Sequence, residues 1–460
     1  MMVFLEQFNH ILWEKCLLIL LLSVGVYLTF RLKGMQIRYL LYSLKLAFSS
    51  KQKEGKGDIS QFQSLMTALA ATIGIGSIAG MATAVMAGGL GSIFWMWVVA
   101  FFGMVTKFAE AILAVKYRKT DERGEMSGGP MYYIEKGLGW KWLASSFALF
   151  GAICAFAGGN ITQSHSISHA MYHLTGIPQA YTGVLIAFFA GIVILGGIKS
   201  LAKVNAVLVP AMALLYIGGG IVVLTYHYAL ILPSIKLIFT HAFTGQAAFG
   251  GFMGAGVMRA MQLGVSRGVS SNEAGLGSAP IASAAAKTDV PGRQALVSMT
   301  GVFLSSFIVC TMTVLIIAVS GVMGKIAPNG EVLNGAPLVM EAFQSVIPYG
   351  HWIVGICIIL FGYSTILGWA YYGEKCMEYL FGEKVLFSYR VLFICLAFLG
   401  TLLSLDVVWT LVDIMNGLMA LPNLIGLLFL SPIVIAESKG FFELLAREKA
   451  VFTQESKQNI

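Results

Sequence analysis

Charge is scarce in this sequence. Asp, Glu, Lys and Arg make up 11% of its 460 residues while 57% are hydrophobic, and a soluble domain carries about 25% charge. An array of water-soluble domains is therefore excluded. Also missing is any G-x-x-x-x-G-K-[ST] phosphate loop, so ATP is not a driving ligand within this chain. The absence of H-E-x-x-H removes the commonest zinc-hydrolase signature. The six cysteines, Cys16, Cys154, Cys310, Cys357, Cys376 and Cys395, show no C-x-x-C spacing, which argues against a zinc site or a disulfide framework and leaves them as small apolar fillers.

What is there is long apolar runs. In hydrocarbon only helices and closed barrels satisfy the backbone, and runs of about 20 residues are helical spans, not barrel strands. The sequence predicts an all-α polytopic membrane protein of about 11 transmembrane helices, beginning near Leu12, Gln61, Ser92, Trp142, Ala180, Leu201, Val257, Ala295, Trp352, Tyr389 and Trp409. The first run reads as a retained span, because Glu6 stands in its leader and no small-residue cleavage site follows.

Basic residues concentrate in alternate loops, above all Arg31 to Lys56 and Lys116 to Lys141. The positive-inside rule then places the amino terminus outside and the carboxyl terminus in the cytoplasm of a cell-membrane protein. The net charge of +8 reflects that topology and not nucleic-acid binding.

With the first span set aside, ten remain, five starting near Gln61 and five near Val257, and the two sets have opposite orientations. The expected units are 1–56, an extra span and cytoplasmic linker; 57–228, a first five-helix repeat; 229–436, an outer segment and a second, inverted repeat; and 437–460, a cytoplasmic tail. Each repeat opens on a helix that its own sequence interrupts, through Gly74, Gly76 and Gly80 in the first and Gly275, Gly277 and Pro280 in the second. Glycine and proline weaken the helical ladder, and freed backbone groups at membrane depth persist only beside protein or a cavity. Paired breaks in inverted halves point to a central site for a transported solute. Ser127 to Gly137 reads as an interfacial turn and short helix, and Leu232 to Gly245 as a segment lying across the outer surface.

A zwitterionic amino acid at the bilayer midplane needs donors for its carboxylate and acceptors for its ammonium. The first free amides of a half-helix, Ile75 and Gly76, supply the donors, and the last free carbonyls, around Ala70 to Ile73, face an ammonium or a sodium ion. Thr72, Ser77, Gln163 and Asn272 add hydroxyls and amides at comparable depth. Ser364 and Thr365 either complete an all-oxygen sodium cage or back-bond their own helix. Trp369 falls one turn beyond Thr365 on the same face, where it either limits substrate size or packs against a neighbouring helix. Glu273 is an ion ligand or the partner of Arg267. Lys107 and Glu110 read as a snorkelling pair, and His165, His169 and His173 as a polar helical stripe.

Several blocks resemble the sodium:alanine (alanine or glycine:cation) symporter family. They are Gly88-Gly-Leu-Gly-Ser-Ile-Phe-Trp-Met-Trp97, Gly128-Gly-Pro-Met-Tyr-Tyr-Ile-Glu-Lys136, Ser271-Asn-Glu-Ala-Gly-Leu-Gly277, Ala284-Ala-Ala-Lys-Thr-Asp289 and Ser364-Thr-Ile-Leu-Gly-Trp369. The resemblance implies a LeuT-type 5+5 inverted repeat that brings alanine or glycine into the cell with Na+ as the co-transported ion. The expected substrate site is then Thr72, Gly74, Ile75, Gly76, Ser77, Gln163, Asn272, Gly275 and Trp369, and the expected sodium site Ala70, Ile73, Ser364 and Thr365. The family commonly has Asn where this chain has Ser77, which bears on substrate preference and ion stoichiometry. The expected partners are a small neutral amino acid, sodium and membrane lipid, with no nucleic acid and no ATP. The competing readings are a non-transporting amino-acid sensor on the same fold, a proton-coupled carrier and a channel.

Overall fold

The structure, a computed structural model, describes residues 2–49, 55–244, 256–327, 330–403 and 406–458. It is a bundle of helices joined by short loops: α1 (Gln7–Arg31), α2 (Leu40–Ala47), α3 (Gln61–Thr72), α4 (Ala79–Gly88), α5 (Gly91–Tyr117), α6 (Pro130–Leu138), α7 (Lys141–Thr175), α8 (Gln179–Leu195) and α9 (Gly197–Tyr226). The chain continues as α10 (Tyr228–Thr244), α11 (Gly256–Asn272), α12 (Ala279–Ala284), α13 (Pro291–Ser320), α14 (Gly335–Gln344), α15 (Gly350–Phe381), α16 (Leu386–Gly400) and α17 (Asp406–Gln458). A two-stranded hairpin, β1 (Lys119–Thr120) and β2 (Met126–Ser127), follows α5. Helices start within a few residues of the eleven expected positions. Among the described residues, seven are long and apolar enough to cross a membrane, or eight with the bent pair α3 and α4 taken as one span.

Both interruptions have local causes. A capping box starts α3, with Ser60 and Gln63 bonding each other's backbone N–H groups. Gly74 and Gly76 stop it, a short turn at Ile75–Ser77 follows, and the chain resumes at 64° to its first direction. In the second, Glu273, Gly275 and Gly277 take φ of +55°, +90° and +84°. That left-handed run is incompatible with a right-handed helix, and α12 restarts with Pro280 in its first turn.

The quoted sequence blocks hold this framework together. A Cβ at Gly91 would come within 2.5 Å of the His241 and Ala242 backbone, so the glycine lets α10 lie against α5. Trp95 donates to the Ala242 carbonyl at 3.2 Å and Trp97 to the Thr311 hydroxyl at 2.8 Å. The expected outer segment is thus a helix starting at Tyr228 and seated on α5; its last residue, Gly245, is outside the described residues. The Ala284–Asp289 block is gathered by Arg118, whose guanidinium donates to the carbonyls of Lys56, Ala284, Ala286 and Thr288.

At the hairpin end, Lys375 is fully buried and donates to Glu378 at 2.8 Å and Ser127 at 2.9 Å, with Asp121 at 3.4 Å. Arg390 makes a two-pronged pair with Glu374 at 2.7 and 2.8 Å. Arg123 reaches Asp121, Glu125 and Glu378 within 3.5 Å. These charges tie the hairpin to the ends of α15 and α16. Burial pushes the Asp121 carboxyl up, but the Glu125 backbone N–H and the charges of Lys375 and Arg123 outweigh it and hold it below the usual carboxylate range. Its contribution to stability is full above an unfolded value of about 3.9 and is lost as pH falls through the lower folded one. Removing the buried ammonium of this cluster strands Glu378 and Asp121 at once. Lys375→Ala should lower stability by about 3 to 5 kcal/mol, read as a drop in the detergent melting temperature, whereas Lys325→Ala, from an exposed pair with Glu341, should leave it within about 1 kcal/mol.

Candidate functional site

Where the first break meets α7, α11, α15 and α17, a cavity of about 410 Å³ opens. Thr72, Gly74, Ile75, Gly76, Gln163, Thr365 and Trp369 line it, so most of the expected substrate residues converge there. The N–H groups of Ile75 and Gly76 have no hydrogen-bond acceptor among the described residues, since Ser77 bonds back to Gly74 and Ile78 to Ile75. The turn that leads into α4 therefore presents free donors to the space. Gln163 donates to the Gly158 carbonyl at 3.0 Å and leaves its amide oxygen buried and unpartnered. Asn416, also on the wall, does the same with its oxygen. Buried acceptors of this kind are costly unless something supplies a donor.

The remaining expected substrate residues lie behind the wall. Ser77 is fully buried, and its hydroxyl meets that of Ser271 at 2.9 Å. Asn272 donates to Ser306 at 3.1 Å and accepts from the Ala274 N–H at 2.9 Å. The Gly275 N–H goes to Glu110 at 3.1 Å, and its carbonyl accepts from Asn423 at 2.9 Å.

The expected sodium residues come together in part. The hydroxyls of Ser364 and Thr365 lie 3.3 and 3.1 Å from the Ala70 carbonyl. Each is also 2.9 or 2.8 Å from the Phe361 carbonyl of its own helix, so both alternatives read from the sequence coexist. A hydroxyl proton directed at Phe361 leaves an oxygen lone pair beside Ala70, which is the donor set a hard cation takes. Ile73 is buried as the cap of α3, its N–H bonded to the Leu69 carbonyl. A Cβ on Gly74 would fall 2.7 Å from the Thr365 hydroxyl, so glycine is what permits this approach. Thr72 back-bonds to Ala68 at 3.0 Å.

Two pairings expected from the sequence are corrected. Arg267 reaches Asp413 at 3.9 Å, not Glu273, which accepts from Ser278 at 2.7 Å. Lys107 and Glu110 do not snorkel; both are buried, Lys107 donating to the Asn272 carbonyl at 2.7 Å and Glu110 accepting from Gly275 and, at 2.6 Å, Asn423. Each caps a freed end of the second break, a contact that spans about 165 positions of chain. The histidine stripe exists, with the His165 and His169 rings 4.4 Å apart. No group of three or more metal-binding side chains is found among the described residues.

Sequence reasoning missed a turn of π-helix, Ala157–Ile161, inside α7. Its Gly158 lines the cavity against Val412, and a Cβ at Gly159 would fall 2.2 Å from that of Trp369, so Gly159 seats the indole. Adjacent glycines in mid-span were the available signal.

A model of the sodium:alanine symporter family matches residues 1–455. The sodium/alanine symporter AgcS of Methanococcus maripaludis is 53% identical over 96% of this chain and 97% of its own length. The probable sodium/glutamine symporter GlnT of Bacillus subtilis is 36% identical over 94% and 89%. Among solved structures, MhsT in complex with L-phenylalanine superposes with a TM-score of 0.59 at 15% identity, over 84% of this chain and 93% of that one. At that identity the likeness shows the fold, which is the LeuT type with interrupted helices. Gly159, packed against Trp369, and Gly76, on the cavity wall, should respond differently to an added methyl. Gly159→Ala should cost about 1 to 3 kcal/mol of stability by displacing Trp369. Gly76→Ala, with open space around it, should leave the melting temperature unchanged and act only on ligand binding.

Proposed function

We infer the function from the premise that this chain belongs to the sodium:alanine symporter family: it is a multi-pass membrane transporter and not an enzyme, and it carries alanine or glycine into the cell together with sodium. The observation that carries the finer reading is the junction of free amides and paired hydroxyls at the first break. The carboxylate of the solute takes the N–H groups of Ile75 and Gly76. Sodium takes the Ala70 carbonyl with Ser364 and Thr365, while Thr72, Gly74, Gln163 and Trp369 shape the space around the solute. Ser77, Asn272 and Gly275 act from behind the wall by holding the two breaks. Residues 57–228 and 229–436 are the inverted repeats, with the amino terminus outside and the carboxyl terminus in the cytoplasm.

The coupling follows from the same geometry. Without a cation, the Ala70 and Phe361 carbonyls compete for the protons of the two hydroxyls. A sodium ion instead draws α15 and α3 onto one centre, and it favours the solute-bound form only by its differential affinity for the two states. Purified protein in proteoliposomes should take up labelled alanine or glycine with an inward sodium gradient and lose that uptake when potassium replaces sodium. Thr365→Ala should raise the sodium concentration for half-maximal uptake by roughly 10-fold, the loss of one ligand contact of about 1.5 kcal/mol. Sodium dependence unchanged from wild type in both Thr365→Ala and Ser364→Ala would remove this site.

Trp369 limits the solute's side chain. The indole is 7% exposed, lines the cavity and meets the Tyr372 ring edge-on at 5.6 Å. It leaves room for hydrogen or methyl and rejects larger groups by the roughly 10- to 200-fold that a steric pocket achieves. Trp369→Ala should therefore admit valine or leucine and weaken alanine and glycine. Competition by a graded series of neutral amino acids measures the change; an unmoved size limit in a sodium-responsive variant would exclude Trp369 as its cause.

A further inference from the structure

We propose that Glu273 is the carboxylate that recognises the ammonium of the transported amino acid, and so sets the selection of amino acids over hydroxy acids and simple carboxylic acids. The inference rests on reading the cavity as an amino-acid site and adds the residue that reads the amine.

The charges around the cavity do not balance. Lys107, Glu110 and Glu273 form one buried group, and Arg267 and Asp413 a pair on the wall. Two cations thus face three carboxylates. The ammonium of Lys107 is engaged by the Asn272 carbonyl at 2.7 Å, and Arg267 is turned to Asp413. Glu110 points away from the cavity, into the bonds with Gly275 and Asn423. Glu273 lines the cavity itself; Lys107 is the cation nearest in influence to it, but no salt bridge joins Glu273 to a Lys, Arg or His among the described residues. A carboxylate held without a salt-bridge partner at membrane depth is a site for a cation.

Its placement is built. Glu273 is one of three non-glycine residues with positive φ among the described residues. The left-handed turn takes the side chain off the path of α11 just where that helix ends, a conformation that side chains adopt when their surroundings compel it. Ser278 fixes one carboxylate oxygen at 2.7 Å, and the Trp369 indole is close enough to interact with the same group. A zwitterion in this space finds free amides from the first break for its carboxylate and an acidic oxygen from the second for its ammonium. Sodium has its own oxygens at Ala70, Ser364 and Thr365, so Glu273 is left to the amine. A hydroxy acid of the same shape places a neutral hydroxyl there and leaves the carboxylate charge unanswered, which is how a polar site rejects a near-isostere.

The test compares alanine with lactate and propionate as competitors of labelled alanine binding to purified protein in saturating sodium. In the wild type, alanine should compete and the other two should not. In Glu273→Gln, alanine affinity should fall roughly 10- to 100-fold, the worth of one charge-assisted hydrogen bond, while lactate gains relative to alanine because an amide accommodates a hydroxyl. Glu273→Asp keeps the charge on a shorter arm and should lose less alanine affinity while still excluding lactate. Unchanged alanine affinity in Glu273→Gln overturns the assignment, as does an equal change for alanine and lactate, which marks a structural role. A loss of sodium dependence at normal alanine affinity overturns it in favour of an ion ligand. Should Glu273→Gln fail to fold, Glu273→Asp decides by the same ratio: a fall for alanine alone supports the assignment, and parallel changes refute it. A wild type that binds no alanine sinks both this and the functional reading, whereas a wild type that binds it beside a variant of unaltered selectivity sinks only this one.

Discussion

Everything in this structure is arranged around backbone groups freed where two helices stop inside the membrane. In hydrocarbon an unsatisfied amide or carbonyl costs several kcal/mol, so each break must be answered by something. The two are answered differently. The second is closed by the protein, with Lys107 on the Asn272 carbonyl, Glu110 on the Gly275 N–H and Asn423 on the Gly275 carbonyl. The first keeps the N–H groups of Ile75 and Gly76 free and opens onto the cavity. The freed backbone of one break is closed off and that of the other is left open to the cavity.

This division explains why charged residues occur deep in so apolar a chain. Lys107 and Glu110 are fully buried, and an apolar pair of similar volume would pack as well. Such a pair would, however, leave the Asn272 carbonyl and the Gly275 N–H without partners. The charges are there because the backbone is broken. Tyr133 extends the network by bonding Asn423, which joins α6 and α17 to the same junction.

How much of this could be read in the sequence follows the range of the interaction. The spans were legible because burial in lipid acts on each run of about 20 residues independently. The breaks were legible because Gly74, Gly76, Gly275, Gly277 and Pro280 act on their own neighbours. The approach of Ser364 and Thr365 to Ala70, across nearly 300 positions, was one of two alternatives that their hydroxyls left open, and the resemblance to a known family favoured it. Where two candidate partners lay close in sequence, nearness misled: Glu110 stood three places from Lys107 and Arg267 six from Glu273, yet the hydrogen bonds of Lys107 and the ion pair of Arg267 go to other helices. Ser77, Asn272 and Gly275 were located correctly at the breaks, but nothing in a linear pattern tells which side of a cavity wall a residue faces.

The clamp of Lys107 on Asn272 has a mechanical consequence. A helix bonded through a buried ammonium to the end of another cannot slide past it without exposing an unpaired charge to hydrocarbon, so α5 and the second interrupted helix must travel as one rigid piece. Relative movement of the helices is then left to other contacts, among them the one between α3 and α15. There α3 touches Ser364 and Thr365 through hydroxyls that have a second acceptor, Phe361, in reserve. If that contact parts, both hydroxyls keep the Phe361 carbonyl while the Ala70 carbonyl loses its two donors, so the contact is held together by a single backbone acceptor.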